Sequence, residues 1–110
     1  MRISQKNINK HLQQEILGIF FQLISDTQNP EEAKMIFESL LSPAEAEAIA
    51  KRLSVAHYLD KNRSYQNIKD NLGVSSATIA VIDKARKSAG YRLALKKIEA
   101  DRWAGKWAEK

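Results

Sequence analysis

The chain has 110 residues, 44% of them apolar and 28% charged, which suffices for one modest hydrophobic core and excludes two large domains. It contains no cysteine, so disulfides, thiol catalysis and cysteine-ligated zinc are excluded. Residues 1–42 carry four basic and five acidic side chains, whereas residues 43–110 carry fourteen and eight, and this basic C-terminal part makes the chain a candidate for binding nucleic acid.

Two amphipathic helices are predicted in the first forty residues. Apolar residues recur at steps of three or four between Ile8 and Leu23, which predicts a first helix over residues 5–25. The sequence from Asn29 to Glu32 is typical of a helix start, because asparagine caps free N–H groups and proline suits the first helical position. The residues expected on the buried face of this second helix are Ile36, Phe37, Leu40 and Leu41.

A third helix begins in the same way at Ser42. Ser42 followed by Glu45 is the pattern of a capping box, in which each residue satisfies a backbone N–H near the other. Apolar residues continue at helical spacing to about Leu59, and the polar segment 60–63 then ends the helix. The third helix is therefore predicted to run from Ser42 to about Leu59.

The segment from Ser64 to Ile79 predicts a helix-turn-helix. Ser64 would cap a helix of about eight residues, Gly73 would permit the sharp turn, and Ser75 would cap the next helix. Ala89-Gly90 is expected to close that second helix, and a basic helix is expected from residue 91 to the end. The apolar residues that should close the small core are Ile68, Leu72, Val74, Ile79 and Ile82. No strand alternation occurs, so the predicted fold class is all-α.

Three stretches of this sequence together resemble the Trp repressor family. They are Leu40 to Glu45, the Ala-Ile-Ala-Lys-Arg run that ends at Arg52, and Ile68 to Ile79, and the resemblance covers about residues 36–90. It implies a single-domain, all-helical subunit that interlaces with a second copy. Residues 1–41 would then be dimerisation helices and residues 43–90 the long helix with the helix-turn-helix. Residues 91–110, predicted from their pattern to be a basic C-terminal helix, have no clear counterpart in that family.

The resemblance also implies a set of contacts with double-stranded DNA. Tyr65, Gln66 and Lys69 would lie near the backbone and bases, and Thr78 would contact phosphate. Ser76, Ala77 and Ala80 would face base edges. The capping turn from Ser75 should expose free N–H groups to the major groove. Beside a helix-turn-helix, the basic residues Lys84, Arg86 and Lys87 are expected to contact phosphates.

The effector pocket of the resembled family fits this sequence less well. Arg52 matches the first of two arginines that hold the indole of the corepressor, but Val81 stands where the second should be. Ile82 replaces a glycine and Ala85 a serine of that pocket. With Val81, the guanidinium that would stack on the indole is lost, and with Ile82 a branched side chain fills the space that a glycine leaves open. Both changes predict that the protein does not sense tryptophan. Any small-molecule effector is unknown from the sequence.

Alternatives from other functional classes remain open. Trp103 and Trp107 lie four residues apart, and we expect them to pack on a partner subunit or the first helix. A non-specific nucleoid-type DNA binder would use the basic tail, and a protein-interaction adaptor would use the two tryptophans.

No catalytic motif, metal-ligand spacing or cofactor motif is present, so an enzyme, a metal and a cofactor are not expected. The uncharged runs of residues 16–25 and 71–82 are too short for a membrane span of roughly 20 residues, and a cytoplasmic protein is expected.

Overall fold

The computed structural model describes residues 8–101 of the chain, with side chains up to Glu99. These residues form helices and no strand, which confirms the all-α class. The helices are α1 (Lys10–Asp26), α2 (Pro30–Leu40), α3 (Pro43–Asp60), α4 (Tyr65–Leu72), α5 (Ser76–Ala85) and α6 (Ala89–Asp101). Within residues 8–101, no helix combines the length and the hydropathy needed to cross a membrane.

The predicted helix starts of α2 and α3 are confirmed at the level of individual hydrogen bonds. The Asn29 side chain accepts from the Glu32 N–H at 2.8 Å, with Pro30 at the first helical position. Ser42 Oγ accepts from the Glu45 N–H at 3.1 Å, and Glu45 Oε1 accepts from the Ser42 N–H at 2.8 Å. The bond donated by the Ser42 N–H, with a further contribution from the Ser42 hydroxyl, lowers the pKa of the Glu45 carboxyl, because it favours the charged form.

Two predicted helix boundaries are wrong, each because a serine or asparagine cap determines the boundary. The first helix begins at Lys10 rather than residue 5, since the Asn9 side chain accepts from the Leu12 N–H at 2.8 Å. The helix α5 ends at Ala85, and Ala89-Gly90 begins α6 rather than closing α5. The carbonyl of Ser88 accepts from the Arg92 N–H at 3.0 Å, and its Oγ accepts from the Tyr91 N–H at 3.5 Å. Ser88 thus starts α6 as a cap, a role that the sequence prediction missed.

The chain divides into two compact units, residues 1–46 and residues 47–110. In the first unit, neither α1 nor α2 has a buried residue, although both carry apolar faces. Phe20 of α1 meets Phe37 of α2 edge to face, with ring centroids 6.2 Å apart. Among the described residues, the predicted burial of the second helix is realised only in part, since Ile36, Phe37 and Leu41 are half-buried and Leu40 is 57% exposed.

The hydrophobic core of the described chain lies in the second unit. Its members come from the later part of α3, from α4 and α5, and from α6; they are Val55, Ala56, Leu59, Ile68, Ile79, Ile82, Leu95 and Ile98. The three core isoleucines predicted for the helix-turn-helix are therefore confirmed. Leu72 and Val74 pack against this core while remaining partly exposed. Burial of this cluster holds α4 and α5 against α3 and α6 through the hydrophobic effect.

Candidate nucleic-acid interface

A sharp turn at Gly73 joins α4 to α5. Gly73 has a φ of 64°, which is the left-handed conformation that glycine adopts most readily, and its N–H donates to the Lys69 carbonyl at 2.9 Å. Ser64 caps α4 by accepting from the Asn67 N–H at 3.1 Å. With Ile68 and Ile79 fully buried on the inner sides, these features form the predicted helix-turn-helix.

The N-terminal turn of α5 is exposed along its outer side. Ser75 Oγ accepts from the Thr78 N–H at 3.1 Å and donates to Thr78 Oγ1 at 2.9 Å, so the cap residue and the threonine form one unit. Among the described residues, no acceptor meets the N–H of Ser76 or Ala77. Ala80 is likewise exposed one turn further along. This turn therefore exposes small side chains and two free N–H donors, which a ligand with acceptor groups could reach.

Further predicted contact residues lie on α4 and at the C-terminal end of α5. Gln66 is exposed, and its amide donates to Asp70 Oδ1 at 2.8 Å. Lys69 is half-buried, as expected for a lysine whose aliphatic stem covers the junction of two helices. Lys84 and Lys87 are exposed at the other end of α5. The helix-turn-helix thus carries one basic residue on α4, Lys69, and exposed basic residues at the C-terminal end of α5.

Tyr65 and Arg86 are joined by an acidic residue that the sequence prediction did not single out. The Tyr65 hydroxyl donates to Asp83 Oδ2 at 3.0 Å, and Arg86 Nε donates to Asp83 Oδ1 at 2.8 Å. Arg86 also lies 3.6 Å from the Asp60 carboxylate at the end of α3. This polar network, hereafter the Asp83 network, links the first residue of α4 to the ends of α5 and α3.

The Asp83 network shifts the titration of two of its members. The hydrogen bond from Arg86, with a smaller effect from Tyr65, lowers the pKa of the Asp83 carboxyl. The hydrogen bond to Asp83 raises the pKa of the Tyr65 phenol, because the donated proton is held between the two groups. Asp83 and Arg86 are three residues apart, and this spacing could have predicted their ion pair from the sequence. The link to Tyr65 crosses 18 positions and had no local signal.

Arg52 and the α5 residues that depart from the corepressor pattern occupy different surroundings. Arg52 lines an open, mostly apolar hollow of about 390 Å³ together with residues such as Ile49 and Tyr91. Val81 and Ile82 do not line it: Val81 is 69% exposed, whereas Ile82 is buried in the core. Among residues 8–99, no group of three or more acidic or histidine side chains could hold a metal ion.

The geometry and the charge of this region define a helix-turn-helix protein. A family model described as "Trp repressor protein" matches residues 4–98, and the chain therefore belongs to the Trp repressor family, whose members are DNA-binding regulators. The chain is also similar to a protein of Bacillus subtilis (strain 168) described as "Uncharacterized protein YerC". The two are 28% identical over 85 residues, which cover 76% of this chain and 82% of the relative.

Proposed function

We propose that this chain is a sequence-specific regulator of transcription that binds double-stranded DNA as a homodimer in the cytoplasm, and that it is not an enzyme. The observation that carries the proposal is the exposed N-terminal turn of α5, held by a capped helix-turn-helix with a buried core. Small residues and free N–H groups at a helix N-terminus suit close approach to the phosphates and base edges of a major groove. Membership of the Trp repressor family supports the same conclusion.

The proposed interface assigns different tasks to different residues. Ser76, Ala77 and Ala80 face base edges, while Ser75 and Thr78 offer polar atoms to the backbone. Lys84 and Lys87 supply phosphate contacts from exposed positions. The remaining proposed contacts are Tyr65, Gln66, Lys69 and Arg86. Both Tyr65 and Arg86 are held by Asp83, so each would reach DNA with its geometry already fixed.

The proposed interface reads DNA more through shape and ordered water than through direct pairing with bases. Serine, alanine and threonine at the contact turn offer no bidentate guanidinium or amide to a base edge. Two recognition helices related by a dyad would enter successive major grooves about 34 Å apart, which requires a roughly palindromic site. The preferred sequence would therefore include positions that no side chain touches.

The exposed apolar surface of the first unit supports the homodimer. On α1, seven large apolar residues between Leu12 and Ile24 are each at least 39% exposed, and Met35 on α2 is 74% exposed. A helix that is apolar on most of its sides is stable when another surface covers it. A second copy of the same unit offers a matching surface, as a dyad-symmetric interface requires.

Selection of bound sequences from a random duplex library tests this function. Purified protein at about 150 mM salt is expected to enrich a palindrome, and the same palindrome should appear with and without L-tryptophan. A palindrome that depends on tryptophan would contradict the proposed loss of the corepressor response. Enrichment of no sequence, with a large salt dependence of binding, would favour the non-specific DNA binder.

The proposed loss of the tryptophan response is supported by where the departing residues lie. Val81 projects into solvent, and the Ile82 side chain fills core space, so neither contributes to the hollow beside Arg52. Isothermal titration of the protein with L-tryptophan should therefore give no binding heat. The adaptor alternative depended on Trp103 and Trp107, which lie outside the described residues.

A further inference from the structure

A second hollow lies between the end of α3, the turn after α5 and the outer face of α6. Its volume is about 660 Å³, within the range of about 300–1,000 Å³ that small-molecule sites occupy. The α6 residues that line it recur at helical spacing along one side of the helix. The complete lining is Asp60, Arg86, Lys87, Ala89, Arg92, Leu93, Leu95, Lys96 and Glu99.

Positive charge dominates this hollow. Four of the lining residues are cationic and two are acidic, and both acidic residues already have cationic partners. Asp60 lies 3.6 Å from Arg86, and Glu99 is bridged by Lys61 from outside the lining. Among the described residues, Lys87, Arg92 and Lys96 form no salt bridge. Three cations around one concavity repel each other, and an anion bound there would relieve that repulsion.

The apolar residues of the lining limit the classes of ligand that the hollow could bind. Leu93 is 58% exposed and Ala89 is also exposed, while Leu95 is buried and lines the same hollow. An organic ligand can cover Leu93 with its carbon skeleton and meet the cations with its anionic groups. A DNA backbone supplies phosphates but no comparable apolar surface. Arginine and lysine together suit phosphate, which arginine binds through two parallel N–H donors.

We propose that this hollow binds a phosphorylated small molecule and that the bound molecule weakens DNA binding. The second part rests on the proposed function, because Arg86 and Lys87 line the hollow and also belong to the proposed DNA contacts. A ligand phosphate that approaches them brings negative charge to the DNA-facing surface and neutralises Lys87, which has no salt bridge among the described residues. The molecule would thus act as an anionic effector that competes with DNA for the same cations.

Titration calorimetry of the full chain without DNA tests the site itself. The probes are pyrophosphate and adenosine 5′-diphosphate, with sodium chloride at equal ionic strength as the reference. We expect saturable binding by the wild type and at least about tenfold weaker binding by Arg92→Ala/Lys96→Ala, because charge-assisted hydrogen bonds are removed. Lys34→Ala/Lys97→Ala is the matched control, since it removes the same number of charges from two exposed lysines that do not line the hollow. Circular dichroism verifies that all variants fold.

Saturable binding that survives in Lys34→Ala/Lys97→Ala but not in Arg92→Ala/Lys96→Ala supports the site. No binding by the wild type, or an equal loss in the control, overturns it, because the cations would then attract anions only non-specifically. A failure of the protein to bind any duplex would contradict the proposed function and leave the calorimetric result standing.

Fluorescence anisotropy with a labelled duplex tests the coupling. At constant ionic strength, adenosine 5′-diphosphate should weaken duplex binding by the wild type and by Lys34→Ala/Lys97→Ala, and should not affect Arg92→Ala/Lys96→Ala. Without probe, these two double variants should bind the duplex equally. A weaker affinity of Arg92→Ala/Lys96→Ala than of the control without probe would mean that DNA phosphate occupies the hollow, which overturns the proposal.

Discussion

Asp83 is an acidic residue on a basic surface, and its contacts indicate why it lies there. The carboxylate holds Tyr65 and Arg86 at the same time, so it ties the start of α4 to the end of α5. Both ends of the helix-turn-helix are thereby fixed by a polar group at the surface, outside the hydrophobic core. The sequence identified Tyr65 and Arg86 as candidate contacts but gave no reason to connect them, because the connection depends on how the two helices cross.

The lowered pKa of Asp83 predicts a difference in acid stability between the wild type and Asp83→Asn. The native state favours the charged carboxylate, so the unfolded state binds more protons as the pH falls. The stabilisation is fully present above the ordinary aspartate pKa of about 4 and is lost as the pH falls through the lower native pKa. Urea unfolding at pH 6, 4 and 3 should therefore show a steeper acid loss for the wild type than for Asp83→Asn. Equal slopes for the two proteins would contradict the role of this network in stability.

Gly73 provides a second prediction at the scale of one residue. An added Cβ would meet no neighbour closer than Lys51 Nζ at 3.9 Å, so Gly73→Ala is opposed by its φ of 64° and not by crowding. We expect a loss of about 1–2 kcal/mol in the free energy of unfolding, which is the cost of the left-handed conformation for a residue with a Cβ. Gly90→Ala is the control, because Gly90 lies in α6 with open space around it and should be neutral or stabilising. Urea denaturation of both variants measures the difference, and equal stabilities would contradict the argument.

At the scale of helices, local capping signals were more informative than apolar periodicity. The starts of α2, α3, α4 and α5 followed from an asparagine or serine whose side chain accepts an N–H three residues later. Where the same signal was overlooked, at Asn9 and Ser88, the predicted boundaries were wrong. The core isoleucines of α4 and α5 were predictable from their spacing around the turn. The contributions of Val55 and Leu95 were not, since they depend on the packing of α3 and α6.

The basic residues of α4 and α5 predict a measurable change in the salt dependence of DNA binding. Lys69→Ala/Lys84→Ala should weaken duplex binding, and the slope of log affinity against log salt should fall by about 0.9 for each phosphate that the variant no longer neutralises. Lys34→Ala/Lys97→Ala is the matched control, because it removes two exposed lysines outside the proposed interface. The measurement is fluorescence anisotropy between about 50 and 200 mM salt. If the slope falls equally in both double variants, only the total charge matters and the assigned phosphate contacts are wrong.

At the scale of the whole chain, the two units have opposite surface characters. The described part of the first unit exposes large apolar residues from both of its helices and has no buried core residue. The second unit has the core and most of the basic residues. Sequence periodicity correctly located the apolar faces of α1 and α2. It could not tell whether those faces are covered by the same chain or by a second one, because periodicity contains no information about the partner of a surface.

The exposed apolar surface of α1 leads to a prediction about assembly. We expect the wild type to have about twice the 12.5 kDa mass of one chain by multi-angle light scattering. Phe21 is 60% exposed, so Phe21→Glu should fold within its own chain as readily as the wild type, yet it would place a charge in the dimer interface. The dimer dissociation constant should rise at least about thirtyfold, as for a central interface residue. Gln14→Glu is the matched control, because it adds the same charge at an exposed polar position of α1.

Comparison of these two variants distinguishes a dimer that covers α1 from one that does not. A concentration series should separate Phe21→Glu into single chains at protein concentrations where Gln14→Glu remains dimeric. A wild type with the mass of one chain would contradict the homodimer. It would also contradict the proposed recognition of palindromic DNA, which requires two recognition helices related by a dyad. Identical dissociation constants for both variants would mean that the dimer forms through another surface, because an interface that desolvates Phe21 cannot accept a carboxylate there without loss of affinity.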